Sequence, residues 1–144
     1  MKISKVREVK TPTRGTEKSA GIDFYMPDGI SETIEPGQSC LVPSGIKANI
    51  PAGYALIAFN KSGVAVKKNL YVGACVVDED YQGEIHINLT NVGTRTTTIE
   101  SGEKIIQLVL VPVFYDEIEV VDEDVLFKKQ SERGTGGFGS TGVS

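Results

Sequence analysis

Histidine occurs once, at His86, and cysteine twice, at Cys40 and Cys75, with no CxxC pair. Two distant cysteines and one histidine do not supply the four ligands of a structural zinc site. So few cysteines also suit a reduced, cytoplasmic protein better than a secreted one stapled by disulfides. No apolar run reaches the roughly 20 residues of a membrane-spanning helix. The stretch Met1–Glu8 is charged and alternating, so no secretory leader or other targeting signal is expected. Positive charge is scarce as well: 15 Lys and Arg stand against 19 Asp and Glu, a formal net charge of −4. A non-specific nucleic-acid binder needs a basic face to displace counterions, so neither nucleic acid nor a membrane is an expected partner. A small phosphorylated ligand remains compatible, because a few local cations and backbone N–H groups can hold one inside an acidic protein.

Long amphipathic helical patterns and internal repeats are missing too. What the 144 residues contain, 40% of them hydrophobic and 24% charged, is a series of short β-patterned segments. Glu84-Ile85-His86-Ile87-Asn88-Leu89-Thr90 alternates polar and apolar residues, the mark of a half-buried strand. Tyr54–Phe59 and Lys104–Val113 are β-rich apolar runs, the second long enough to be buried on both faces. Ile3–Val9, Ile46–Ile50 and Ile118–Val121 are further strand candidates, and Asp116–Asp124 reads as an edge strand with a solvated face. Turn signals at Glu35-Pro36-Gly37, Pro51-Ala52-Gly53, Asn91-Val92-Gly93 and Ser101-Gly102 separate the runs. This spacing indicates an all-β sandwich or jelly roll, with one short helix after Ser62, which could cap it.

The end of the chain differs. From Lys128 the composition turns to Lys, Ser, Thr and Gly, centred on Arg133-Gly134-Thr135-Gly136-Gly137-Phe138-Gly139-Ser140-Thr141-Gly142. Such a segment cannot bury enough apolar surface to fold by itself. It nevertheless carries a cation, an exposed-backbone run and one ring, which equip it to close over a phosphorylated heterocycle. Residues 1–127 are therefore expected to form the domain and 128–144 an arm.

Chemistry concentrates in three other places. Asp78-Glu79-Asp80 beside Tyr81 suggests a hairpin with a carboxylate pointing into a site; extended backbone would put Asp78 and Asp80 on one face. A carboxylate can orient or deprotonate a water, and two on one face can hold metal-bound waters. Asn60-Lys61-Ser62-Gly63 offers a cation, a hydroxyl and a glycine where a strand turns into a helix, a small anion site. Asp23, in the apolar setting of Ala20-Gly21-Ile22-Asp23, and Gln107, inside an apolar strand, need partners if buried.

In order along the chain, these segments resemble the five motifs of the trimeric dUTP pyrophosphatase family. Ala20–Asp23 resembles the first, Lys61-Ser62-Gly63-Val64-Ala65 the second and Val76–Gly83 the third. Gly102-Glu103-Lys104-Ile105-Ile106-Gln107-Leu108 resembles the fourth and Arg133–Gly142 the fifth. The third and fifth are highly specific, and the likeness covers nearly the whole chain. It implies a distorted jelly-roll, β-clip-like barrel in a homotrimer with active sites shared between subunits, hydrolysing dUTP to dUMP and pyrophosphate. That reaction keeps uracil out of DNA and supplies dUMP for thymidylate synthesis. Asp78 corresponds to the residue that activates the attacking water, and Tyr81 to the one that packs on deoxyribose and leaves no room for a 2′-hydroxyl. The backbone through Gly73, Cys75, Val76 and Val77 would read the uracil edge. Lys61, Ser62, Gly63 and Gln107 would contact phosphate oxygens, and Arg133 the terminal phosphate. Phe138, beside Gly139, would stack on uracil, and Asp23 and Asp80 would support the site or metal-bound waters. Mg²⁺ would be held by the triphosphate and water, with no direct protein ligand.

Two positions depart from the family pattern. Lys61 stands where arginine is usual and loses the bidentate fork. Cys75 stands where glycine is common, and would be strained if its φ were positive. Two rival readings are a dCTP deaminase-like enzyme of the same fold, separable by ammonia release, and a non-catalytic dUTP-binding regulatory protein, separable by binding without turnover.

Overall fold

The computed structural model describes residues 1–139 and 142. The chain divides into two compact units, residues 1–114 and 115–144, a break that falls ahead of the composition change at Lys128.

The first unit is built of short antiparallel strands. Five of them form one sheet in the order β2-β3-β12-β7-β9: β2 (Thr13–Arg14), β3 (Ile22–Tyr25), β12 (Lys104–Pro112), β7 (Tyr54–Phe59) and β9 (Val76–Val77). A three-stranded sheet runs β5 (Ser39–Pro43), β10 (His86–Asn91), β8 (Leu70–Val72), and two ribbons pair β1 (Lys2–Lys5) with β6 (Ile46–Asn49) and β4 (Glu32–Ile34) with β11 (Thr97–Ile99). This mostly β, jelly-roll-like architecture is the expected class.

Side-chain alternation explains where the core sits. In β10 the pattern buries Ile87, Leu89 and Asn91 and turns His86, Asn88 and Thr90 outward. In β12 the register against β3 shifts between Lys104 and Ile106, a bulge that lets the consecutive Ile105 and Ile106 both point inward. With Leu108, Leu56, Phe24, Met26 and Val42 they close one apolar cluster, in which each fully buried Leu or Ile contributes about 1.5–3 kcal/mol.

Several expectations need correction. The N-terminal strand ends at Lys5, short of Val9, whose side chain instead drops into the core. α1 (Ser62–Lys68) forms where a helix was expected, but Lys61, not Ser62, is its N-cap, and no side chain caps it. The Lys61 backbone is extended and its carbonyl accepts from the Ala65 N–H at 2.8 Å, so Ser62 is already the first helical residue. Ile118–Val121 is not a strand: it has no pairing partner among the described residues, and Ile118 and Val120 are each 94% exposed. The alternation of apolar residues is there, but a strand needs a neighbour to complete its hydrogen bonds.

The second unit contains a second helix that the sequence did not suggest, α2 (Glu123–Leu126), a single turn with no buried residue. Beyond it the chain turns twice, Gly134 N–H donating to Ser131 and Gly136 N–H to Arg133. Arg133 Nε donates to the Gly136 carbonyl at 2.7 Å, and Phe138 sits at φ 53° with its ring fully exposed. Ser140, Thr141, Val143 and Ser144 of the expected arm lie outside the described residues.

Candidate active site

Three of the five motif segments converge on the β3-β12-β7 sheet. Gln107 of β12 lies opposite Asp23 of β3 on one side and Phe59 of β7 on the other. Its side-chain Nε2 donates to the Asn60 carbonyl at 2.9 Å, one residue before Lys61. A Cβ at Gly21 would overlap the Gln107 side chain, so glycine there is what allows the amide to lie across the strand end.

Asp23 is buried, and its two oxygens are taken by two cations: Lys61 Nζ at 2.9 Å and Lys104 Nζ at 3.1 Å. Burial pushes this carboxyl upward, but the hydrogen bonds and charges of Lys61 and Lys104 outweigh it and hold it below the usual carboxylate range. The same contact raises Lys104. Asp23 thus stays ionised and concentrates two ammonium groups at the start of α1, where Ser62 and Gly63 are exposed. A Cβ at Gly63 would meet no atom of the described residues within 4 Å. Lys104 was not singled out from sequence, although it lies inside the fourth motif; its pairing with Asp23 was hidden because the bulge sets it.

The third motif segment stands apart from this group. β9 pairs with β7 through Val77 to Leu56 and Val76 to Ile57, and the Ala58 N–H donates to the Cys75 carbonyl at 2.8 Å. β9 is the edge of its sheet, so its outer backbone groups face away from β7. The approach to it is held by two asparagines that the sequence did not flag. Asn60 Oδ1 accepts from the Val72 N–H at 2.7 Å, and Asn88 Oδ1 from the Ala74 N–H at 3.0 Å. A Cβ at Gly73 would overlap Asn88 Oδ1. Cys75 has no positive φ, so the strain considered for it does not arise.

After Val77 the chain turns: the Tyr81 N–H donates to the Asp78 carbonyl at 3.1 Å. Extended geometry therefore stops at Asp78, and the alternation that would have aligned Asp78 with Asp80 does not carry through. Val76, Val77, Asp78, Tyr81, Ile85 and His86 line a cavity of about 200 Å³, smaller than the roughly 300–1,000 Å³ that encloses a drug-sized ligand. A second, polar cavity of about 440 Å³ lies between the β1–β6 ribbon and Glu79, Tyr81 and Gln82. Tyr81 forms a wall of both. Among the described residues no three His, Cys, Asp or Glu side chains come close enough to hold a metal ion together. No helix of the described residues is long and apolar enough to cross a membrane.

The resemblance noted from the motifs is matched by comparison with known proteins. The family model described as dUTPase matches residues 7–142. The deoxyuridine 5′-triphosphate nucleotidohydrolase of Desulfotalea psychrophila is 41% identical over 142 residues, covering 95% of this chain and 92% of that protein. The human mitochondrial protein of the same description is 40% identical over 132 residues, covering 91% of this chain and 50% of its own length. Among solved structures, the dUTPase of Staphylococcus bacteriophage 80alpha with dUpNHpp superposes with a TM-score of 0.88 at 27% identity, covering 99% of this chain and 98% of that one. The chain belongs to the dUTPase family.

Proposed function

We propose that this chain hydrolyses dUTP to dUMP and pyrophosphate in a site assembled between copies of a homotrimer, with Asp78 activating the attacking water. The observation that carries this reading is the separation of Asp78 from Lys61 along β7. Val77, next to Asp78, pairs with Leu56, while Lys61 leaves five residues further along the chain. At about 3.3 Å per residue that is roughly 17 Å, well beyond hydrogen-bond reach of one phosphoryl group. A carboxylate from one copy and the cations of another meet at a shared triphosphate more simply than two such separated groups of one chain do. The apolar Ile118, Val120 and Phe127, bare in a single chain, favour association as well.

Roles follow from chemistry and position. The outer edge of β9, approached through Gly73, Cys75, Val76 and Val77, pairs with the uracil edge, and a site built to pair one hydrogen-bond pattern penalises another. Tyr81 closes the sugar side of the small cavity. Lys61, Ser62, Gly63 and Gln107 take phosphate oxygens, with Asp23 holding Lys61 and Lys104 nearby until the more strongly anionic triphosphate arrives. Residues 128–144 act as an arm, in which Arg133 meets the terminal phosphate and Phe138, preceding Gly139, lays its free ring on the base.

Mg²⁺ is the cofactor of this reading. Asp78 and Asp80 are exposed carboxylates, the hard oxygen donors that suit the water shell of an ion carried mainly by phosphates. Such an ion, when bound, neutralises charge on the departing pyrophosphate. The chain's own part is to orient: Asp78 takes a proton from water aimed at the α-phosphorus, and the bond to the pyrophosphate oxygen breaks without a covalent enzyme intermediate.

Pyrophosphate release from dUTP, dTTP, dCTP and UTP, with and without Mg²⁺, tests the assignment. dUTP alone should be turned over well, and Asp78→Asn should lower kcat by about 10²–10⁴-fold with folding intact. Ammonia from dCTP, or near-normal turnover by Asp78→Asn, would overturn it.

A further inference from the structure

Tyr81 and His86, two rings of the small cavity, hang on one backbone oxygen. The Glu84 carbonyl accepts from the Tyr81 hydroxyl at 2.7 Å and from His86 Nδ1 at 2.9 Å. A carbonyl only accepts, so His86 carries a proton on Nδ1 and Tyr81 must turn its hydroxyl hydrogen toward Glu84. Gly83 makes room for this, since a Cβ there would overlap the Tyr81 ring.

The residue that owns this oxygen is itself held from outside the cavity. Glu84 Oε2 accepts from Arg7 Nε at 2.8 Å and from the Gly45 N–H at 2.9 Å, and Oε1 accepts from Arg7 Nη2 at 3.2 Å. The Glu84 side chain is only 13% exposed. The next residue is tied into the sheet as well, with Ile85 N–H donating to Ile46 and its carbonyl accepting from Ser44. Arg7 presents a planar fork to both carboxylate oxygens, a geometry that fixes direction as well as distance. Arg7 is not part of the five motif segments and lines neither cavity formed by Tyr81.

On the reading of Tyr81 as the wall against the sugar, we infer that Arg7 and Glu84 are positioning residues that set this ring and thereby set the discrimination between 2′-deoxyribose and ribose. The hydroxyl bond stops the ring from swinging away from the cavity, and the fork stops the carbonyl from following it. Without the fork only the Gly45 and Ile46 bonds hold this peptide, so the carbonyl can tilt, and a ring displaced by a fraction of an ångström opens space for the 2′-hydroxyl. Displacements of about 1 Å cost on the order of 10²-fold in positioned reactions, so a smaller one that admits ribose is a change of roughly tenfold.

The test is the ratio of kcat/KM for dUTP to that for UTP, measured on the full-length protein. Arg7→Met should lower this ratio about tenfold, chiefly by raising UTP turnover, while kcat for dUTP stays within about twofold. Arg7→Lys, which keeps the charge but not the fork, should lower it too and serves if Arg7→Met folds poorly. In a Tyr81→Phe background, which lacks the hydroxyl link, Arg7→Met should have little further effect on the ratio. A merely structural salt bridge would change the melting temperature of the variants and leave the ratio alone. An unchanged ratio in folded Arg7→Met and Arg7→Lys overturns the inference, as does a full Arg7 effect persisting in Tyr81→Phe. Tyr81→Ala separates the two levels: if it leaves the ratio unchanged, the reading of Tyr81 itself has failed; if it lowers the ratio while the Arg7 variants do not, only the positioning role has.

Discussion

Lys61 Nζ, just past the end of β7, lies 2.9 Å from Asp23 Oδ1 of β3, although β12 runs between those two strands in the sheet. One buried carboxylate thereby joins the segment after β7 to β3, and its second oxygen brings in Lys104 from β12. The three motif segments share a site because one side chain inside the fold needs cations and those cations come from the other two.

The first consequence concerns Asp23→Asn. Asparagine keeps the shape but not the charge, leaving Lys61 and Lys104 without their counter-ion. Since both lysines are partly solvated, the loss should be about 1–3 kcal/mol, less than for a fully buried pair. A urea unfolding midpoint for the two proteins measures it. An unchanged midpoint would mean the cluster contributes nothing net.

The pH dependence of stability follows from three carboxylates held below their ordinary range. Glu84 is lowered first by the hydrogen bond from Arg7, and Glu103 first by the one from Lys68. In Asp23, Lys61 and Lys104 overcome the opposing effect of burial. A depressed folded value means that the unfolded chain takes up the proton first as pH falls. The stabilisation is therefore complete above about pH 5 and is lost on acidification through the folded values. Unfolding midpoints from pH 7 to pH 3 should fall, and Glu84→Gln should flatten that fall. A midpoint rising toward pH 3 would contradict the sign.

Gly73→Ala should raise KM for dUTP about tenfold or more while kcat changes less. The new Cβ meets Asn88 Oδ1, which must give up its bond to the Ala74 N–H and loosen the approach to β9. Steady-state kinetics with dUTP checks this, and an unchanged KM would remove the Gly73 segment from base recognition.

How much of this was legible in the sequence depended on the range of the forces involved. Strand β10 could be read because the alternation through Glu84–Thr90 is written in consecutive residues, and Asp23 and Gln107 stood out as polar groups needing partners. Their actual partners could not be read: Lys104 meets Asp23 only because of a bulge, and Asn60 and Asn88 act through side chains that brace a distant turn. Asp78 and Asp80 were placed on one face by a rule for extended backbone, which a turn at Asp78 suspends. Ile118–Val121 shows the converse, a correct β pattern with no strand beside it among the described residues.

That Asp78 and Lys61 serve one triphosphate only when copies combine is tested most directly by subunit mixing. Asp78→Asn and Lys61→Ala should each be nearly inactive alone. Unfolded together at equal concentrations and refolded, they should recover about a quarter of the wild-type dUTP turnover, since random assembly gives each site an intact Asp78 from one copy and an intact Lys61 from another with that frequency. Activity that stays at the level of the separate variants, in mixed assemblies shown to have formed, would place Asp78 and Lys61 in the same chain's site and contradict the shared one.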